Sequence, residues 1–150
     1  MNKMIIGGAV LAAGLLFCCP KVEASEPTRF MKTYYLTEEE AKLVKQVAVL
    51  EAGGEDVDGI ANVMQVVLNR KFSEDFPNTI TGCVFDEGQF TTASRLAGTE
   101  ITETAEKAYE RVTDGIYQFN DSLYFESLPG KVWSDIHTYR FSYGGHDFYR

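Results

Sequence analysis

The sequence predicts an α+β fold, mainly helical with a small β-sheet, in a single domain spanning residues 37–150. Apolar residues recur at helical spacing in the first half and again near residues 103–112. The final third turns to glycine and aromatic residues in short strand-like runs. Helices first and short strands later is the pattern of a domain whose helices and sheet are segregated.

The elements follow in order. Thr37 stands three residues before Glu40, the spacing of a capping box, so a helix begins at about Glu38. Val44, Val47 and Ala48, flanked by Leu43 and Leu50, give it an apolar face, and Gly53 and Gly54 end it. Asp56 or Asp58 caps a second helix carrying Ile60, Val63, Met64 and Val67, and Arg70 and Lys71 suit the negative end of its dipole. Phe76-Pro77-Asn78 is a turn; Ile80 to Phe85 reads as a short strand, or as a helical turn followed by one. Gly88 to Thr91 reads as a loop. A third helix fits Glu103 to Val112, with Gly115 as its stop, and strands are expected at Ser122 to Phe125 and Tyr139 to Tyr143.

Ahead of the domain, Lys3 precedes an apolar run from Met4 to Phe17, shorter than the ~20 residues that span a bilayer. Val22-Glu23-Ala24 is a small-x-small arrangement suited to a signal peptidase, which makes residues 1–24 a signal peptide and 25–36 a linker. An uncleaved anchor, or lipid on Cys18 or Cys19, is the rival reading. The chain is therefore expected to be exported to the cell wall or beyond, touching membrane only through this signal. About 125 residues remain, enough for one core and too few for two.

Once the leader is gone, Cys83 is the cysteine left, and it has no intramolecular partner to oxidise with. Set among Thr81, Gly82, Val84 and Phe85, it reads as a small buried hydrophobe rather than a nucleophile. A net charge of −8 with no Lys/Arg cluster argues against nucleic acid. Two histidines without a His-Glu-x-x-His run make a catalytic zinc site unexpected, although Glu55, Asp56 and Asp58 could attract a cation incidentally.

Glu51 lies on the apolar stripe of the first helix, seven residues after Val44 and in the last turn. Partial burial and the negative end of the helix dipole both favour its protonated form, which is what a general acid requires. The competing reading is a helix-end glutamate that merely points to water.

Glu51-Ala52-Gly53-Gly54-Glu55, followed by Gly59, Ala61, Val63, Val67 and Leu68-Asn69-Arg70, resembles the cell-wall hydrolase family typified by the spore cortex-lytic enzymes SleB and CwlJ. Phe76-Pro77, the Val84 region, Gln89-Phe90, the helix around Ala105 and Ala108, Tyr124-Phe125 and Gly145-His146-Asp147-Phe148-Tyr149 are similar to the family's later landmarks. Two positions depart from it: Gly53, where the family often has arginine, and Thr91, where it often has serine.

The resemblance implies a lysozyme/lytic-transglycosylase-like domain acting on peptidoglycan glycan strands. It also implies that Glu51 protonates the bond between muramic acid and glucosamine, with neither metal nor cofactor. Glu55, a candidate second carboxylate, either orients substrate or Glu51, or is a solvated loop charge. Gln89 and Phe90 suit a glycan cleft, an amide for hydroxyls and a ring for a sugar face, and core packing is the alternative for Phe90. His146 either binds substrate or supports the acid, or else is a satisfied structural residue. Asn69 and Arg70 are expected to tie the second helix to the Glu51 loop. The rival functions are a non-catalytic wall-binding module and an amidase acting on the stem peptide, the latter normally needing zinc.

Overall fold

The computed structural model describes residues 35–86, 90, 92–114, 119–129 and 132–150. The leader, most of the linker, the loop at Gly88 to Thr91 apart from Phe90, and the helix stop at Gly115 lie outside these residues. Along the chain come α1 (Glu38–Ala52), α2 (Val57–Lys71), α3 (Ile80–Phe85), a 3-10 helix (Ala93–Gly98), α4 (Glu103–Thr113), β1 (Tyr124–Ser127), β2 (Tyr139–Tyr143) and β3 (His146–Tyr149). The expected α+β class holds, helix-rich with a small sheet.

Polar side chains begin every α-helix. The Thr37 hydroxyl accepts from the Glu40 amide while the Glu40 carboxylate accepts from the Thr37 amide, completing the capping box of α1. Of the two candidates for α2, Asp56 is the cap and accepts from the Gly59 amide at 2.9 Å. Thr79 and Thr102 do the same for α3 and α4. The Thr79 cap explains why Ile80 to Phe85 is helical throughout, where strand was also expected from its apolar run. Cys83 thereby sits on a helix and is buried, its Sγ 3.0 Å from the Pro77 carbonyl oxygen, and burial pushes its thiol up.

α2 is the axis of the domain. Gly59 through Arg70 are all buried, with α1, α3, α4 and β1 packed around them. One apolar face was expected; burial is all-round because the polar side of the helix is covered as well. Gln65 donates to Asn69, Asn69 donates to the carbonyls of Asn120 and Ser122, and the Asn120 amide donates back to Asn62. A helix face of amides can enter a core only when its donors and acceptors are answered in this way. Ion pairs from Lys45 to Glu106 and from Lys71 to Glu40, each 2.9 Å, tie α1 to α4 and to α2.

The sheet is antiparallel in the order β1-β3-β2, so the last strand is the central one. That third strand, not expected from the sequence, places Phe148 beside Phe125 on one side and Phe141 on the other. The Phe141 and Phe148 rings stack 4.6 Å apart, and Phe148, 1% exposed, joins the sheet to the helical core. Between β2 and β3, Gly144 takes a φ of +56°, a conformation glycine adopts without steric cost.

Candidate active site

Glu51 is half-buried in the last turn of α1. Its Oε1 accepts a hydrogen bond from the Thr92 hydroxyl at 2.5 Å, from the residue that precedes the 3-10 helix. The end of α1 and the Thr92 segment packed against it thus meet at this carboxylate.

Arg70, at the end of α2, is 3% exposed. Its guanidinium lies 4.9 Å from the Phe76 ring centroid, 5.0 Å from Phe90 and 5.6 Å from Tyr124, and Nε donates to the Leu123 carbonyl at 2.6 Å. Burial brings the guanidinium down to about 10, while the charges around it, Glu51 among them, pull the other way. Arg70 remains a fixed positive charge at neutral pH, with its Nη1 buried and without a hydrogen-bond partner among the described residues. The expectation that Asn69 and Arg70 would hold the Glu51 loop is corrected: both reach the segment from 120 to 123 that leads into β1.

Phe90 is 8% exposed and belongs to the core, with its ring between Arg70 and Phe125 at 5.0 and 6.3 Å. Its packing role is thus visible, with the ring closed in by its neighbours rather than held out as an open platform. Gln89 lies outside the described residues, as does Thr91. The hydroxyl that meets Glu51 is that of Thr92, one residue beyond the one singled out in the sequence.

Glu55 is engaged elsewhere. Its Oε1 accepts from the Gly145 amide at 2.7 Å and lies 3.6 Å from His146 Nδ1. A β-carbon at Gly59 would stand 2.6 Å from the Glu55 β-carbon, and one at Gly144 would collide with its carboxylate. The carboxylate therefore fits a slot that glycines leave open, and it pins the β2–β3 turn to the loop after α1. Next to it, Asp56 accepts from the Gly59 amide and from the Tyr143 hydroxyl, two bonds that hold its carboxyl below the usual range. His146 is 6% exposed, edge-on to Phe125 at 5.7 Å, with Nε2 buried and unpartnered among the described residues. The site residues therefore fall into two groups, Glu51 with Thr92, Arg70 and Phe90, and Glu55 with Gly145 and His146.

A helix-rich domain with a three-stranded sheet, holding a single half-buried glutamate at the end of a core helix, is a lysozyme-like lytic transglycosylase fold. The sequence pattern of the cell wall hydrolase family matches residues 54–149, and the chain belongs to that family. The matched segment begins after Glu51, so membership rests on the rest of the domain. The chain is similar to the catalytic domain of the germination-specific lytic transglycosylase SleB of Bacillus anthracis, at 25% identity and a TM-score of 0.68, over 79% of this chain and 100% of that one. It is likewise similar to the catalytic domain of SleB of Bacillus cereus, at 26% identity and a TM-score of 0.66, over 83% of this chain and all of that one. A spore cortex-lytic enzyme of Oceanobacillus iheyensis is 30% identical over 105 residues, 65% of this chain. Those residues amount to 37% of that relative, so the chain spans little more than a third of its length.

Proposed function

We propose that this protein degrades peptidoglycan by cleaving the glycosidic bond between muramic acid and glucosamine, as a lytic transglycosylase with Glu51 as the general acid. The observation that carries the reading is the setting of Glu51: one half-buried carboxylate at the end of a core helix, oriented through Oε1 by the Thr92 hydroxyl. The likeness to the SleB catalytic domains, which extends over their whole length, supports the same chemistry.

In this mechanism Glu51 gives its proton to the glycosidic oxygen, the bond from that oxygen to the anomeric carbon breaks, and the leaving sugar departs as a neutral alcohol. The primary hydroxyl of the muramic acid then bonds to the anomeric carbon, and its proton returns to the Glu51 carboxylate. The product is an anhydro end. One carboxylate serves both steps, whereas a hydrolase needs a second one to activate water. Thr92 holds the carboxylate in one orientation through both transfers.

Glu55 is assigned to holding the β2–β3 turn, because its Oε1 meets both the Gly145 amide and His146. His146, buried against Phe125 and beside Glu55, is assigned to structure rather than to sugar contact. Gln89 is proposed to contact glycan hydroxyls. The Lys3-led apolar leader supports export, with Ser25 near the mature start; N-terminal sequencing of exported material would read Met1 if the leader stays on.

The test is mass spectrometry of fragments released from purified peptidoglycan by the wild type beside Glu51→Gln. Anhydromuramic ends from the wild type alone establish the reading. Reducing ends would make the protein a hydrolase with a second carboxylate in play, and release of stem peptides an amidase. Binding without cleavage of any kind would leave a wall-binding module.

A further inference from the structure

Beyond Glu51, Tyr124 of β1 and the described residues that precede β2 build an aromatic arm that the cleavage chemistry does not use. Tyr124 stacks on His137 with ring centroids 3.7 Å apart and nearly parallel planes, and Trp133 leans on both, 5.1 Å from Tyr124 and 5.4 Å from His137. The described residues from 132 to 137 are held by hydrogen bonds. Glu126 Oε2 accepts from the amides of Val132 and Trp133, its Oε1 accepts from the Tyr149 hydroxyl, and the Trp133 carbonyl accepts from Ile136 and His137. A backbone pinned at both ends of a turn presents its rings in a set orientation.

Tyr124 joins the arm to the buried Arg70 box, lying beside Arg70 at 5.6 Å and beside Phe76 at 5.7 Å. Trp133, Tyr124 and His137 are all only part-buried, and Trp133 is flanked by Val132 and Ile136, which are 70% and 66% exposed. Apolar side chains held out of the core beside polar ring nitrogens are a surface suited to a ligand with both characters. A pyranose ring is such a ligand: its axial C–H face packs on an aromatic ring while its hydroxyls stay in water, and the ring nitrogens of Trp133 and His137 are polar handles at the rim.

We infer that Trp133, with Tyr124 and His137, forms a distal sugar subsite that grips a saccharide unit of the glycan strand away from the bond being cleaved. The inference rests on the proposed glycan cleavage for the identity of the strand. The subsite extends binding along the polymer, so it acts on long strands and leaves short fragments that cannot reach it unaffected.

Trp133 is the sole tryptophan of the chain, which makes its emission a direct report on the subsite. In the Glu51→Gln protein, titration with purified glycan strands is expected to shift and saturate tryptophan emission. Introducing Trp133→Ala in that background should weaken strand binding, read by calorimetry, about tenfold, while Trp133→Phe, which keeps a ring, retains most of it. In the active protein, Trp133→Ala should raise KM on long strands and leave kcat nearly constant, with the melting temperature confirming the fold. Unchanged emission at saturation, together with equal binding by the Trp133→Ala protein, would overturn the subsite. That outcome leaves the cleavage chemistry standing, because loss of turnover in Glu51→Gln is measured separately; persistence of turnover there would strike the chemistry and not the arm.

Discussion

Glu51 and Glu55 stand four residues apart, yet the domain treats them in opposite ways. Glu51 ends a helix, half-buried, with its carboxylate met by the Thr92 hydroxyl. Glu55 follows the turn and is wedged among Gly59, Gly144 and Gly145, with a backbone amide and His146 against its oxygen. A carboxylate that must exchange a proton needs an open side. One that must hold a hairpin needs its lone pairs occupied and no room to turn. The two glycines at 53 and 54 break the helix between them, so that neighbours in sequence serve different parts of the fold.

The strongest way to break this contrast is to remove each carboxylate's charge in turn. Glu51→Gln is expected to lower turnover on purified peptidoglycan by on the order of 10²–10⁴-fold, the usual worth of a general acid, with the thermal midpoint nearly unmoved. A melting temperature that collapses along with activity would mean that Glu51 is structural instead.

For the other side, Gly144→Ala should cost roughly 2–4 kcal/mol in a denaturant melt. A left-handed φ penalises any β-carbon by about 1–2 kcal/mol, and the new methyl group would displace the Glu55 carboxylate and its charge-assisted bond to Gly145. Glu55→Gln keeps an oxygen for that bond and should cost only about 1 kcal/mol, with turnover per folded molecule retained. Normal stability with lost turnover in Glu55→Gln would make Glu55 a second catalytic carboxylate and dissolve the contrast.

Much of this was legible in advance because it is local. The capping box at Thr37, the end of α1 beside Gly53 and the place of Glu51 in its last turn depend on residues within a few positions of each other. The family pattern extends that legibility to the landmarks of the domain. What escaped is long-range. β3 has too few alternating residues to announce itself, and it is a strand because β1 and β2 lie on either side of it. The Arg70 box draws on Phe76, Phe90 and Tyr124 from three separate segments, which no window of the sequence contains. The Glu55 slot needed the turn at Gly144 brought back some ninety positions, and the only local sign was a glycine pair in a strand-rich tail. Thr92 was overshadowed by the neighbouring Thr91 for the same reason, since two adjacent hydroxyls are equivalent until a backbone aims one of them.

A finer test concerns how rigidly Glu51 must be held. Thr92→Val removes the hydroxyl at nearly constant volume, so Glu51 loses the hydrogen bond to its Oε1 while the space the side chain fills is kept. Turnover should fall by about tenfold, the scale of a single hydrogen bond to a charged group, and Thr92→Ser should restore most of it. Rescue by serine separates an orienting hydroxyl from a merely space-filling side chain. Equal loss in both variants would favour packing.

The mildest expectation lies at the edge of the clasp, in the titration of Asp56. The Gly59 amide, followed by the Tyr143 hydroxyl, holds its carboxyl below the ordinary value of 3.8. The sign follows from linkage: a depressed folded-state value makes the ionised form the one that favours folding. Its stabilising contribution is therefore full above the unfolded value and is lost as pH falls through the folded one. Tyr143→Phe removes the side-chain donor and leaves the Gly59 amide, so the Asp56 midpoint, followed by carboxyl NMR, should move part of the way back up. Because the hydroxyl also spans from β2 to the cap of α2, the same variant should loosen the β2–β3 turn, raising amide exchange at Gly145 before any change in Glu51-dependent turnover. Faster exchange there with unchanged cleavage keeps the two carboxylates independent; a matching loss of turnover would mean that the clasp also sets the geometry of the cleft.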